Sequence, residues 1–212
     1  MAIAVLAKEP RPGFSKTRMC PPFSPAEAAA LAEAMLRDTL GVVAGCPAAR
    51  RIVVLDGSPG GWLPAGFEVI PQRGGDQAER IGAAFEDIGG PALLIGMDTP
   101  QVTEGLLHEA AGALCMPGTD AVLGATPDGG WWAGGLRKPN VAAFQGVPMS
   151  RSDTVDHQRS RFASLGLNWR EVRQLTDVDD FSTALAVAEL IPASRFARRL
   201  KRSVLELSER TR

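Results

Sequence analysis

Ile3-Ala4-Val5-Leu6-Ala7-Lys8-Glu9-Pro10-Arg11-Pro12-Gly13-Phe14-Ser15-Lys16-Thr17-Arg18 is the stretch that decides how this chain reads. Residues 3–6 form a short apolar run, as expected of a buried first strand. Four cations (Lys8, Arg11, Lys16 and Arg18) follow within one segment that Pro10, Pro12 and Gly13 keep out of helix and sheet. In an open α/β sheet, ligands bind outside the carboxyl ends of the strands. Arg and Lys there supply the charge-assisted hydrogen bonds that phosphate oxygens need. A solvated basic turn is the plainer alternative, and the strand context is what favours a phosphate loop.

Outward from this loop, strand and helix signals alternate. Ser24-Pro25-Ala26-Glu27 is a capping box with Pro at the first helical position, and apolar residues at helical spacing follow from Ala28 to Val43. Strands are expected over 51–55, 67–70, 92–96 and 121–125. Asp76 and Thr103 are placed to cap helices reaching about 87 and 114. The strands are nearly continuous in apolar residues, the pattern of a parallel sheet covered on both faces. The second half is less regular: a strand over 131–136, a polar helix over about 150–165, a last strand over 169–175, and a helix over 181–190. A basic helix within 193–212 closes the chain. The expected fold is one three-layer α/β/α domain over residues 1–212, with a mainly parallel mixed sheet.

The bulk composition narrows the chemistry. In 212 residues, 45% hydrophobic, the formal net charge is −1, so the cationic loop is a local device and a nucleic-acid binder is not expected. No run is long enough for a membrane span. Cys20, Cys46 and Cys115 are widely spaced and odd in number, as in a reduced cytoplasmic protein. With only His108 and His157, a histidine metal cluster or Ser-His-Asp triad is not expected. Carboxylates, cations, backbone amides and a hard metal ion remain.

Four further constellations carry that chemistry. Asp98, in Gly96-Met97-Asp98-Thr99-Pro100, follows a strand and shares the sheet edge of the cationic loop, where an Asp either closes the turn or holds Mg²⁺ against phosphates. Asp177-Val178-Asp179-Asp180 follows the last strand. Asp177 and Asp179 would point the same way along extended backbone, leaving Asp180 as the cap of the next helix. Gln72-Arg73-Gly74-Gly75-Asp76, with Arg80 one turn later, is either an ordinary strand-to-helix loop or a close approach for a base or phosphate. Asp128-Gly129-Gly130-Trp131-Trp132 sets two Trp on opposite faces of a strand, one for the core and one for a pocket wall. Asp128 there would take a substrate hydroxyl or a cation. Ser150, Arg151 and His157 read as surface or lid, and the C-terminal helix as amphipathic, packed on the domain or on a second copy in a homodimer.

Together, A-K-E-P-R-P-G-F-S-K-T-R, G-M-D-T-P, D-G-G-W-W and D-V-D resemble a bacterial family of GT-A-type, glycosyltransferase-like proteins related to the 2-phospho-lactate guanylyltransferases. The likeness runs in order over about residues 3–190, within the nucleotide-diphospho-sugar transferase superfamily. It implies that Lys8, Lys16 and Arg18 clamp nucleotide phosphates, with Ala7 and Gly13 in the same loop. It implies that Gly74, Gly75 and Asp76 fall where the base is read, with Arg80 beside them. Asp98 would match the family's metal-binding Asp, and Asp177 or Asp179 its second carboxylate, with Mg²⁺ or Mn²⁺ as the ion. The chain departs from the family pattern after Asp179, where Asp180-Phe181 replaces Thr-Pro. Asp128, Gly129, Gly130 and Trp131 are left for the acceptor.

The implied activity is transfer from a nucleotide to a small-molecule acceptor, with Lys16, Arg18 and Asp98 in the catalytic role. A nucleotidyltransferase would join a nucleoside triphosphate to a phosphorylated or acidic acceptor and release pyrophosphate. A glycosyltransferase would use a nucleotide sugar. A protein that binds a nucleotide without turnover is the third reading.

Overall fold

The computed structural model describes residues 1–210. Strand β1 (Ala2–Lys8) is followed by a 3-10 turn (Thr17–Met19) and helix α1 (Pro25–Gly45). Then come β2 (Arg50–Asp56), β3 (Glu68–Pro71), α2 (Gln77–Ile88), β4 (Ala92–Gly96), α3 (Glu104–Cys115), β5 (Ala121–Ala125) and β6 (Trp131–Leu136). A second 3-10 turn (Val141–Ala143), α4 (Thr154–Ser164), β7 (Trp169–Glu171), α5 (Phe181–Leu190) and α6 (Arg195–Arg210) complete the described residues. The seven strands form one sheet in the order β3-β2-β1-β4-β6-β5-β7. All neighbours run parallel except β6, which is antiparallel to both β4 and β5.

The helix caps follow from local chemistry. Ser24 Oγ accepts from Glu27 N, and Glu27 Oε2 accepts from Ser24 N at 2.8 Å, a reciprocal pair that satisfies two otherwise unpaired donors. Asp76 and Thr103 accept from Glu79 N and Leu106 N at the starts of α2 and α3. Gly89, at φ 73, ends α2 in the left-handed conformation that glycine adopts without penalty. Asp180 caps α5 through Thr183, so the departure at Asp180-Phe181 is a helix start.

The alternation of β1 divides the interior. Ile3, Val5 and Ala7 face one core with Val53, Leu55, Leu93, Ile95 and Trp132, under buried residues of α1, α3, α5 and α6. Ala2 and Ala4 face the other with Ile52, Val54, Leu94 and Leu123, under α2 and α4, where Phe144 stacks on Phe85 at 5.1 Å. Both faces of the central strands are therefore buried, which is why β1, β4 and β5 lack a polar side, while the edge strands β3 and β7 are more exposed. Trp131 and Trp132 do lie on opposite faces.

Two elements differ from the sequence expectation. The last strand stops at Glu171, although Val172 N and Leu175 N still donate to Leu123 O and Ala125 O. Helix α4 starts at Thr154, because residues 150–153 form a separate polar loop with Ser150 at φ 58. Helix α6 packs on α1 and α5, burying Phe196 and Leu200 against the same domain. Among the described residues no helix is long and apolar enough to cross a membrane.

Candidate functional site

The carboxyl ends of β1, β4 and β5, and the start of antiparallel β6, all open on one edge of the sheet. A cleft of about 650 Å³ lies there. Of the residues expected at a site, Ala7, Lys8, Lys16, Arg18, Gly75, Arg80, Asp98, Asp128, Gly130, Trp131, Asp177 and Asp179 line it. Gly13, Gly74, Asp76 and Gly129 do not. Gly13 (φ 80) and Gly74 (φ 114) shape the loops behind the wall, and Asp76 is occupied as the α2 cap.

The cationic loop folds back onto the acids. Ser15 Oγ donates to Glu9 O at 3.1 Å, tying the loop to the end of β1. Lys16 follows in a left-handed conformation, φ 52 and ψ 41, which costs a side-chain-bearing residue about 1–2 kcal/mol. That turn sends its side chain inward, where only 8% of it is exposed. Its Nζ lies 2.9 Å from Asp98 Oδ1 and 3.0 Å from Asp179 Oδ1. Burial alone would lower the lysine pKa, but the two carboxylates outweigh it and hold Lys16 above its ordinary value. Arg18, at the 3-10 turn, donates from Nη1 to Asp179 Oδ2 at 2.9 Å while 69% of its side chain faces solvent.

Backbone contacts explain how residues so far apart in sequence meet. Val178 N donates to Asp98 O at 2.8 Å, and the Gln101 side-chain amide donates to Thr176 O. Trp132 Nε1 donates to Arg173 O at 2.8 Å. These three ties lay residues 173–179 along the end of β4. Val178 is buried in the core between them, so Asp177 and Asp179 turn outward together.

Asp128 completes the group. Its Oδ1 accepts from Thr126 Oγ1 at 2.5 Å and Gly130 N at 3.0 Å, which fixes the turn before β6. Gly129, at φ 90, is required here: a Cβ would come within 1.9 Å of Ser152 O, and Gly129 O accepts from Val155 N at 2.8 Å. Carboxylate oxygens of Asp128, Asp177 and Asp179 lie within 4.8 Å of one another. The sequence placed Asp98 with Asp177 and Asp179; in the structure Asp128 lies with Asp177 and Asp179, and Asp98 joins Asp179 through the shared Lys16 ammonium.

Three hard oxygen donors at this spacing could hold a divalent metal ion. The electrostatics agree. Burial, then the neighbouring charges of Asp179 and Asp128, push Asp177 from the ordinary 3.8 up to about 6. Closely set carboxylates resist ionising together unless a cation joins them.

Other lining residues escaped the sequence reading. Met149 and Ser152 flank Ser150 and Arg151, and Thr154 opens α4 behind them. Thr154 Oγ1 donates to Pro148 O at 2.9 Å and accepts from Arg151 N at 3.1 Å, which holds that loop against the cleft. The polar run Ser150-Arg151-Ser152-Asp153-Thr154 was the available signal. Gln77, the first residue of α2, faces Ser150, whose Oγ lies 3.4 Å from its Oε1. Arg80 pairs with Asp56 at 3.0 Å. Arg11 stacks on Phe14 at 4.5 Å, outside the acid group.

The architecture is shared with known transferases. A candidate nucleotide-diphospho-sugar transferase from Desulfovibrio desulfuricans G20 superposes with a TM-score of 0.84 at 22% identity, over 98% of this chain and 96% of that one. CMP:2-keto-3-deoxy-manno-octonic acid synthetase complexed with CTP gives 0.57 at 11% identity, over 90% and 98%. Glucosyl-3-phosphoglycerate synthase from Mycobacterium tuberculosis, with Mn²⁺, UDP and glucosyl-3-phosphoglycerate, gives 0.51 at 11%, over 97% and 78%. No curated protein sequence matches the chain. The fold is thus a nucleotide-diphospho-sugar transferase-like α/β domain with a mixed, mainly parallel seven-stranded sheet. Residues 34–151 match the model of the bacterial family described as "Uncharacterized protein conserved in bacteria (DUF2064)", and the chain belongs to that family.

Proposed function

We propose that the protein is a divalent-metal-dependent nucleotidyltransferase, which joins a nucleoside triphosphate to a small phosphorylated or acidic acceptor and releases pyrophosphate. The observation that carries this reading is the meeting of Asp128, Asp177 and Asp179 with Lys16 and Arg18 at the carboxyl edge of the sheet. Such a site holds both a cation and a polyanion. Asp128, Asp177 and Asp179 would hold Mg²⁺ or Mn²⁺, which supplies neutralisation of phosphate charge when bound. Asp98 adds a fourth carboxylate across Lys16.

The chain's own residues do the positioning. Arg18, exposed and directed at the cleft, is placed to take a phosphate oxygen. Lys16, fixed between two carboxylates, keeps a permanent positive charge beneath the reacting groups. Ala7 and Lys8 at the end of β1, with Gly13 shaping the loop, form the wall beside the phosphates. Gly75 and Arg80, at the start of α2, flank the position for a base, with Gly74 and the cap residue Asp76 shaping the loop behind them. Asp128, Gly129, Gly130 and Trp131 bound the acceptor side, together with the loop at 149–152. Phosphoryl chemistry asks the protein mainly for position and charge, and these residues supply both.

Calorimetry with each nucleoside triphosphate and common sugar nucleotides, with and without Mg²⁺, tests the reading. Metal-dependent binding of a triphosphate, then pyrophosphate release with phosphorylated or carboxylate acceptors, is the expected result. Selective binding of a sugar nucleotide would replace nucleotidyl with glycosyl transfer. Metal-independent binding without turnover would make the protein a nucleotide binder.

A further inference from the structure

We propose that Arg18 is a built-in counter-ion of Asp179 which a metal ion and a phosphate displace together, so that the cleft favours the metal–phosphate pair over the metal alone. The inference rests on the metal-and-nucleotide reading above and concerns how that site admits its ligands.

Both oxygens of Asp179 are engaged by cations: Oδ1 by Lys16 Nζ at 3.0 Å and Oδ2 by Arg18 Nη1 at 2.9 Å. The same carboxylate belongs to the group with Asp128 and Asp177. An ion entering that group meets an Asp179 whose two oxygens already carry a cation each, and its charge opposes both. The partners are unequal. Lys16 is almost wholly enclosed and has a second anchor in Asp98 at 2.9 Å. Arg18 is 69% exposed, lines the cleft and has Asp179 as its one carboxylate partner among the ion pairs of the described residues. Arg18 therefore leaves and Lys16 stays.

Metal alone meets two obstacles: its charge repels the guanidinium held on Asp179, and relieving that repulsion costs the Arg18–Asp179 pair. Phosphate alone draws Arg18 away and leaves Asp179 without that partner beside Asp177 and Asp128. Arriving together, the two remove both costs. Asp179 exchanges one cation for another and Arg18 exchanges one anion for another. Coupling of this kind is reciprocal, and it would keep the cleft from filling with free metal.

The test titrates Mn²⁺ alone, and separately the preformed Mg²⁺–pyrophosphate complex, into wild type, Arg18→Ala, Arg18→Lys and Asp177→Asn. With Arg18→Ala, binding of Mn²⁺ alone should tighten about threefold, the scale of an exposed ion pair removed. Binding of Mg²⁺–pyrophosphate should weaken about tenfold, the scale of a lost charge-assisted hydrogen bond. Arg18→Lys should fall between wild type and Arg18→Ala on both. Opposite signs from one substitution are the signature of exchange. Unchanged or weaker Mn²⁺ binding by Arg18→Ala, while Asp177→Asn abolishes it, would overturn the exchange and leave the metal site standing. Failure of both wild type and Arg18→Ala to bind Mn²⁺, or full binding by Asp177→Asn, would remove the metal site itself and the exchange with it.

Discussion

Asp177→Asn should stabilise the metal-free protein while destroying its metal site. Burial, with Asp179 and Asp128 nearby, raises the Asp177 pKa from 3.8 to about 6. Between those values the folded protein holds a proton that the unfolded chain has released. Folding stability therefore falls as pH rises through that window and levels off above it. The full difference corresponds to about 3 kcal/mol at 1.36 kcal/mol per tenfold change in proton affinity. Because the carboxyl is only half-buried, screening by water reduces this to about 1 kcal/mol. Asn is nearly isosteric and has no charge to lose. In EDTA, thermal unfolding of the variant should match wild type near pH 4 and exceed it by about 2–4 °C at pH 7, the shift that 1 kcal/mol gives in a chain this size. Excess Mn²⁺ should reverse the order, raising the Tm of wild type and leaving the variant unmoved. A difference in EDTA that is constant with pH, or a variant less stable at pH 7, would refute the account of Asp177 as a carboxyl held up by burial and neighbouring charge.

Three more perturbations probe the frame around it. Gly129→Ala places a Cβ against Ser152 O at a residue with φ 90, and should cost about 2–4 kcal/mol in urea unfolding. Lys16→Met leaves Asp98 and Asp179 facing each other without their shared cation. Both carboxylates are about one-third exposed, so the loss should be about 2 kcal/mol rather than the larger figure for a fully buried pair. Ser24→Ala breaks the capping box of α1 and should lower stability by about 1 kcal/mol, with Mn²⁺ binding unaltered because α1 begins outside the acid group.

Much of the fold was legible because its signals are local. The capping box at Ser24, the caps at Asp76 and Thr103, and the apolar runs of β1, β2 and β4 each depend on neighbours within a few residues. Element boundaries slipped where tertiary contacts decide them. Trp169 to Leu175 looks like one strand, but only Trp169–Glu171 pair in register with β5. Beyond them the chain bends to meet the end of β4, through Trp132 and Gln101.

The candidate site divides in the same way. That Asp98, Asp177 and Asp179 share an edge with the cationic loop follows from strand order and chain direction. That Lys16 turns inward to bridge Asp98 and Asp179 depends on its left-handed backbone, which no residue type announces. Asp128 was read as taking a hydroxyl or a cation, and its place among the acids comes from a turn held by Thr126, Gly130 and the close approach of Ser152 to Gly129. Asp76 had a cap role and a site role open to it, and its hydrogen bond to Glu79 N shows the first.

Anomalous scattering from a crystal soaked in Mn²⁺ and a nucleoside triphosphate tests the central claim most directly. The account predicts an Mn²⁺ peak bonded to oxygens of Asp128, Asp177 and Asp179, with phosphate oxygens completing its shell and Arg18 turned onto them. A nucleotide bound elsewhere, or an acid cluster left without Mn²⁺ while the nucleotide occupies the cleft, would contradict it.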